Sequence, residues 1–210
     1  MKNMAWYMKV NFLKLVVLLF ILPLVNASFG QVTWELAKEK NGIKVFTSKE
    51  GSSKFKSIKV EAQLNGSIDQ LAQLLTDASS NKDSIYNTKE SYVIKRVGPT
   101  ETISYTETML PWPASNRDIP INIRLFRDPK NNTLKVTAVG VPNALPAKKG
   151  IVRIPHFNSV WNVKAEGNNK LNIVYLLEMD PGGGVPAWIT NLFVARGPYE
   201  TFANLSTILK

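Results

Sequence analysis

From residue 43 to residue 179, apolar and polar side chains alternate in segment after segment, and a long stretch with helical spacing follows only after residue 185. Alternation with period two marks strands that bury one face. Segments 43–47 and 55–62 predict two strands joined around Gly51-Ser52-Ser53; segments 91–97, 102–109, 119–126, 134–139, 151–164 and 171–179 predict six more. The pattern is cleanest where Ile119, Ile121, Ile123 and Leu125 share one face and Asn122 and Arg124 the other. Six successive strands without a helical crossover argue for an antiparallel meander, because parallel neighbours need a long connection. One helix is predicted within residues 66–75, capped by Ser67 or Asn65, and a short helical piece over 82–86.

The chain changes in kind after Asp180-Pro181-Gly182-Gly183-Gly184. Over residues 185–210, Trp188, Leu192 and Ala195 line one helical side, and Phe202, Leu205 and Leu209 continue it beyond Gly197-Pro198. Pro186 suits a first helical turn, whereas Pro198 must bend or restart the helix. The triple glycine reads as a turn; without a following Lys-Ser/Thr it is no phosphate-binding loop. The expected architecture is α+β, a curved antiparallel sheet with the C-terminal helix across its concave face. Between them an elongated hydrophobic cavity remains, suited to an apolar ligand. Its expected wall is Tyr105, Ile121, Ile123, Val160, Trp188, Leu192 and Phe193. Glu107 alternates with Ile103, Tyr105 and Met109, and so is expected on the same inward face. A buried carboxylate must meet a donor or become neutral. It either binds a ligand hydroxyl or amine, or is a satisfied structural group.

Composition removes most catalytic chemistries. The 210 residues contain no cysteine and a single histidine, His156. Disulfide scaffolds, Fe–S clusters, thiolate zinc sites, cysteine nucleophiles and multi-histidine metal sites therefore fail, and no such metal site is expected. A lone histidine with no nearby nucleophile makes no triad. Arg117 and Asp118, adjacent in a Pro-rich loop, read as a structural pair anchoring loop to strand.

The net charge of +10 comes from 26 Lys and Arg against 16 Asp and Glu. Three of those charges, Lys2, Lys9 and Lys14, precede the apolar run that starts at Leu15 and ends in Pro23-Leu24-Val25, before the small residues Ala27, Ser28 and Gly30. That order describes a secretory signal peptide over residues 1–30, cleaved after Ala27 or Gly30. The 13 residues from Leu15 to Ala27 fall short of the ~20 that span a bilayer. The mature domain, residues 31–210, keeps +7 and is expected in the periplasm or outside the cell. Lys38, Lys40, Lys44, Lys49, Lys54, Lys56 and Lys59 crowd its first strands. They offer transient contact with an anionic membrane surface, or form a solvated face. No nucleic-acid motif accompanies them.

Three stretches resemble the START (StAR-related lipid-transfer) domains and their helix-grip fold. They are Leu110-Pro111-Trp112-Pro113-Ala114-Ser115-Asn116-Arg117-Asp118, Val152-Arg153-Ile154-Pro155 with Trp161, and the run from Asp180 through Gly182-Gly183-Gly184 to Trp188-Ile189-Thr190-Asn191. With the strand order, the likeness covers residues 34–210. It implies a tunnel for one lipid, sterol or similar molecule, without cofactor or covalent chemistry. In some phospholipid- and sterol-binding relatives an arginine six residues after the loop arginine projects into the tunnel; here that position is Ile123. Glu107 matches an acidic position of some members. The expected protein is an exported, monomeric lipid binder. The alternative is a helix-grip enzyme of cyclase or hydrolase type using Glu107, Tyr105 or His156.

Overall fold

A computed structural model describes residues 32–48, 56–167, 169–184, 189–190 and 192–209. The export segment over residues 1–30, the turn around Gly51-Ser52-Ser53 and Trp188 lie outside the described residues. Among those described, ten strands form one sheet. They are β1 (Trp34–Lys40), β2 (Ile43–Ser48), β3 (Lys56–Asn65), β4 (Thr88–Gly98), β5 (Glu101–Thr108), β6 (Arg117–Asp128), β7 (Thr133–Gly140), β8 (Val152–Arg153), β9 (His156–Glu166) and β10 (Lys170–Asp180). The order is β1-β2-β3-β10-β9-β7-β6-β5-β4, with β8 paired to β6 alone. Every pairing but β8–β6 is antiparallel. The expected meander runs from β4 to β10, and the N-terminal hairpin joins it by pairing β3 with β10.

Two local features depart from the sequence reading. The polar segment WELAKEK forms β1, an edge strand whose period is broken by an irregularity between Leu36 and Lys38. The long strand expected over 151–164 is interrupted at Pro155: β8 runs parallel to β6, and β9 begins beyond the proline. Pro120 lies inside β6, yet at the gap between the β8 and β7 pairings, where a missing N–H costs no ladder bond. The opposite edge strand, β4, carries three irregularities against β5, which bend and blunt an exposed edge.

The chain crosses from β3 to the far edge at β4 through α1 (Ile68–Thr76), a 3₁₀ turn (Ala78–Ser80) and α2 (Asn81–Ser84). Ser67 and Gln70 close a reciprocal capping box on α1: Gln70 N donates to Ser67 Oγ at 3.2 Å and Ser67 N to Gln70 Oε1 at 2.9 Å. At the C-terminus a π-helical turn (Leu192–Arg196) passes directly into α3 (Gly197–Ile208). Pro198 therefore restarts rather than ends the helix. The wider π turn precedes it, where an α-helix would ask the proline for an N–H it lacks.

The sheet turns one face toward α3. Phe202 is fully buried and stacks on Trp161, with ring centroids 5.1 Å apart and 15° between planes; Tyr175 packs against both. Tyr199, Leu205 and Leu209 join the cluster that holds Ile43, Val60 and Ile173. Three of the N-terminal lysines have acidic neighbours: Lys38 lies 3.9 Å from Glu200, Lys44 3.6 Å from Glu39, and Lys59 2.7 Å from Glu61. No described helix is long and apolar enough to cross a membrane.

Because Phe202 seats α3, Phe202→Ala should cost about 3–5 kcal/mol of folding stability, read by urea unfolding. Phe126→Ala, at a ring 54% exposed, should change it by less than about 0.5 kcal/mol.

Candidate functional site

Between the sheet and its helical cover lies a cavity of about 210 Å³. Ile119, Ile121 and Ile123 of β6 and Trp161 of β9 form part of its floor; Leu177 and Met179 extend it along β10. The cover comes from Phe193 of the π turn, from Pro198, Phe202 and Leu205 of α3, and from Leu75 and Ile85 on the crossing segment. None of the described lining residues is charged.

The expected wall residues divide. Ile121, Ile123 and Phe193 line the cavity. Val160 does not: it alternates with Ser159 and Trp161, which do, so it faces the other side of β9. Leu192 opens the π turn, and Trp188 is outside the described residues. His156 begins β9 opposite Asp180 and is not part of the lining.

Tyr105 and Glu107 require a correction. Both are buried, at 0% and 2% exposure, but on the outer face of β5. The inner face is Thr102, Ser104 and Thr106, which pair across to Ile123, Ile121 and Ile119. A strand exposed on one side would betray its inner face by its apolar residues. β5 is covered on both sides, and the more apolar set faces away from the cavity. The cover is the segment between β7 and β9: Lys148 Nζ sits 4.1 Å from the centre of the Tyr105 ring, with Tyr92 stacked on that ring.

Glu107 and Tyr105 belong there to a hydrogen-bonded cluster. Lys89 Nζ donates to Glu107 Oε1 at 2.9 Å and Asn116 Nδ2 at 2.7 Å; Tyr105 Oη donates to Asp118 Oδ2 at 3.2 Å. Burial pushes the Glu107 carboxyl up, but the bonds from Lys89 and Asn116 outweigh it and hold it below its ordinary value. Burial, reinforced by the Asp118 and Glu107 charges, pushes the Tyr105 hydroxyl up to about 12, so it stays a donor.

Arg117 and Asp118 act as anchors in opposite directions. Arg153 grips Asp118 through Nε at 2.8 Å and a second nitrogen at 3.0 Å, and also donates to the Leu145 carbonyl at 2.9 Å, tying the 141–155 segment to β6. Arg117 donates instead to the carbonyls of Ser115, Pro181 and Gly182 at 2.5, 3.3 and 3.4 Å. It thereby fixes the glycine turn ahead of the closing helix. Gly182, at φ +71°, is strained by any side chain, and a Cβ would crowd the Arg153 carbonyl at 3.1 Å.

Sequence reasoning missed the hydroxyl-bearing wall. Ser104, Thr106 and Thr108 line the cavity from one strand, and Ser159 and Tyr175 add hydroxyls from β9 and β10. The signal was the strand pairing, since opposite residues share a face and Ile119, Ile121 and Ile123 were already placed inward. The residues of the enzymatic alternative, Glu107, Tyr105 and His156, do not converge in this cavity. Among the described residues, no group of three histidine, aspartate or glutamate side chains gathers to hold a metal.

The lowered Glu107 pKa makes stability depend on pH. The native state gives up this proton more readily than the unfolded chain, so the contribution is complete above the unfolded value of 4.5 and fades as pH falls below it. Urea unfolding between pH 7 and pH 3 should show that loss, and Glu107→Gln should flatten it; an unchanged slope would remove Glu107 as its source.

The sequence matches the START domain family over residues 26–208. An uncharacterised protein of Pseudomonas aeruginosa is 26% identical over 172 residues, covering 82% of this chain and 84% of that protein. The phosphatidylcholine transfer protein of Bos taurus is 26% identical over 180 residues, 83% of each chain. Among solved structures, a StAR-related lipid transfer protein of Xanthomonas axonopodis superposes with a TM-score of 0.75 at 29% identity, covering 83% of this chain and 97% of that one. The family match runs through the sheet and its closing helix alike, and the chain belongs to the START domain family.

Proposed function

We propose that this protein binds one hydrophobic molecule of lipid type in the cavity beneath α3 and sequesters or carries it outside the cytoplasm. The observation that carries the reading is the cavity itself: lying between sheet and helix, walled mainly by aliphatic and aromatic side chains, and free of charge in its described lining. Burial alone supplies the affinity, at roughly 25 cal/mol per Å² of apolar surface removed from water. The names of the bovine and Xanthomonas relatives, both lipid transfer proteins, point the same way.

Export follows from the basic start and short apolar run of residues 1–30. The family match begins at residue 26, near the end of that segment. Contact with a membrane surface fits the loop between β5 and β6 better than the lysine-rich strands. Trp112 stands there 91% exposed, beside Met109 at 45%. An exposed tryptophan suits the boundary between water and lipid. Of the lysines, Lys38, Lys44 and Lys59 already have acidic partners.

The protein recovered from the exported fraction should begin at Ser28 or Gln31 and yield a near-equimolar hydrophobe on solvent extraction. Trp112→Ala should slow transfer between vesicles without lowering the amount of lipid retained. Recovery of no hydrophobe, together with no uptake from vesicles, would overturn the lipid-binding reading.

A further inference from the structure

We infer that the cavity selects a neutral lipid, and that Ser104 receives its uncharged hydroxyl or carbonyl oxygen. The inference rests on the lipid-binding reading and adds to it the class of ligand and a specificity-determining side chain.

The inner face of β5 differs from the rest of the wall. Thr102, Ser104 and Thr106 follow one another on it, at 4%, 2% and 7% exposure, and Ser104, Thr106 and Thr108 border the cavity. Most of the polar groups around the cavity are engaged within the protein. Thr106 Oγ1 lies 3.3 Å from Ser91 Oγ, which donates to the Tyr105 carbonyl; Asn81 donates to that same Ser91; Ser84 donates to the Ser80 carbonyl; Thr201 accepts from the Tyr86 N–H. Among the described lining residues, only Ser104 has a buried side-chain oxygen without a partner. Leaving such a hydroxyl unmet is unfavourable, so a ligand that brings an oxygen to it gains more than one that brings only hydrocarbon.

Ser104 sits mid-strand, opposite Ile121, and is 2% exposed, so the oxygen it meets is removed from water. Its hydroxyl both donates and accepts, and therefore serves a ligand hydroxyl or carbonyl equally. A phosphate or quaternary ammonium in the same place would find no counter-charge, because the described lining carries none and Glu107 and Asp118 face the other side of β5 and β6. Burying an ion without a partner is strongly unfavourable. Selection against a charged headgroup is thus built into the wall.

The test uses the mature exported protein and three radiolabelled probes in vesicles: 1,2-dioleoylglycerol, dioleoylphosphatidylcholine and hexadecane. The first two have the same acyl chains and differ in headgroup. Extraction of dioleoylglycerol should exceed that of dioleoylphosphatidylcholine by at least about tenfold. Ser104→Ala should lower retention of dioleoylglycerol about fivefold while leaving hexadecane unchanged, and Ser104→Thr should restore it. The ligand-free Ser104→Ala protein should melt no lower than wild type, since its hydroxyl has no partner to lose. Equal extraction of phosphatidylcholine and diacylglycerol would overturn the inference while leaving lipid binding intact. An equal loss of hexadecane and dioleoylglycerol in Ser104→Ala would show that the residue shapes the wall and recognises no oxygen. Uptake of none of the probes would remove the lipid-binding reading and this inference with it.

Discussion

Phe202 is the point at which the closing helix meets the sheet, lying flat on Trp161 and against Tyr175. The geometry around that contact decides the rest. The sheet order sets nine strands abreast, a width of ~38 Å at about 4.8 Å per strand, whereas the twelve residues of α3 extend only ~18 Å. One short helix seated by one aromatic cluster cannot cover such a face. The remainder is roofed by the π turn and by the α1–α2 crossing, which carries Leu75 and Ile85 to the cavity. Two pieces laid over a bent sheet, the C-terminal helical run and the α1–α2 crossing, leave space between them, and the proposed function is the use of that space.

The sheet needs its outer face nearly as much. At the start of β6, successive side chains point in opposite directions: Arg117 toward the turn at Pro181 and Gly182, Asp118 toward Arg153 on the segment after β7. Two adjacent residues thus hold the approach to the closing helix and the cover of the outer face. A guanidinium surrounded by carbonyls and a carboxylate gripped twice by another guanidinium are satisfied groups, and together they explain why charges are buried in a protein that keeps charge out of its cavity.

The sequence made some of this plain and hid the rest for physical reasons. The alternation through Ile119, Ile121 and Ile123 was readable because Asn122 and Arg124 mark the other side, and those three isoleucines line the cavity. A bend or restart at Pro198 was readable because proline cannot supply the helical N–H. β1 was missed because it is a polar edge strand with its period interrupted near Ala37. The faces of β5 are the reverse of the expected ones, because the 141–155 segment covers the outer side at Tyr105, leaving serine and threonine toward the cavity. Alternation names the inner face only when the other face meets water. The motifs shared with the START family gave the architecture, but they could not say which side of β5 Glu107 occupies.

The central claim is that the space beneath α3 holds the hydrophobic part of a ligand. A crystal structure with a bromine-labelled acylglycerol tests it directly through the anomalous signal of the bromine atoms. The account predicts bromine peaks inside the cavity, between Ile121, Trp161 and Phe202. Peaks confined to the outer surface, with the cavity closed by its own side chains, would contradict it.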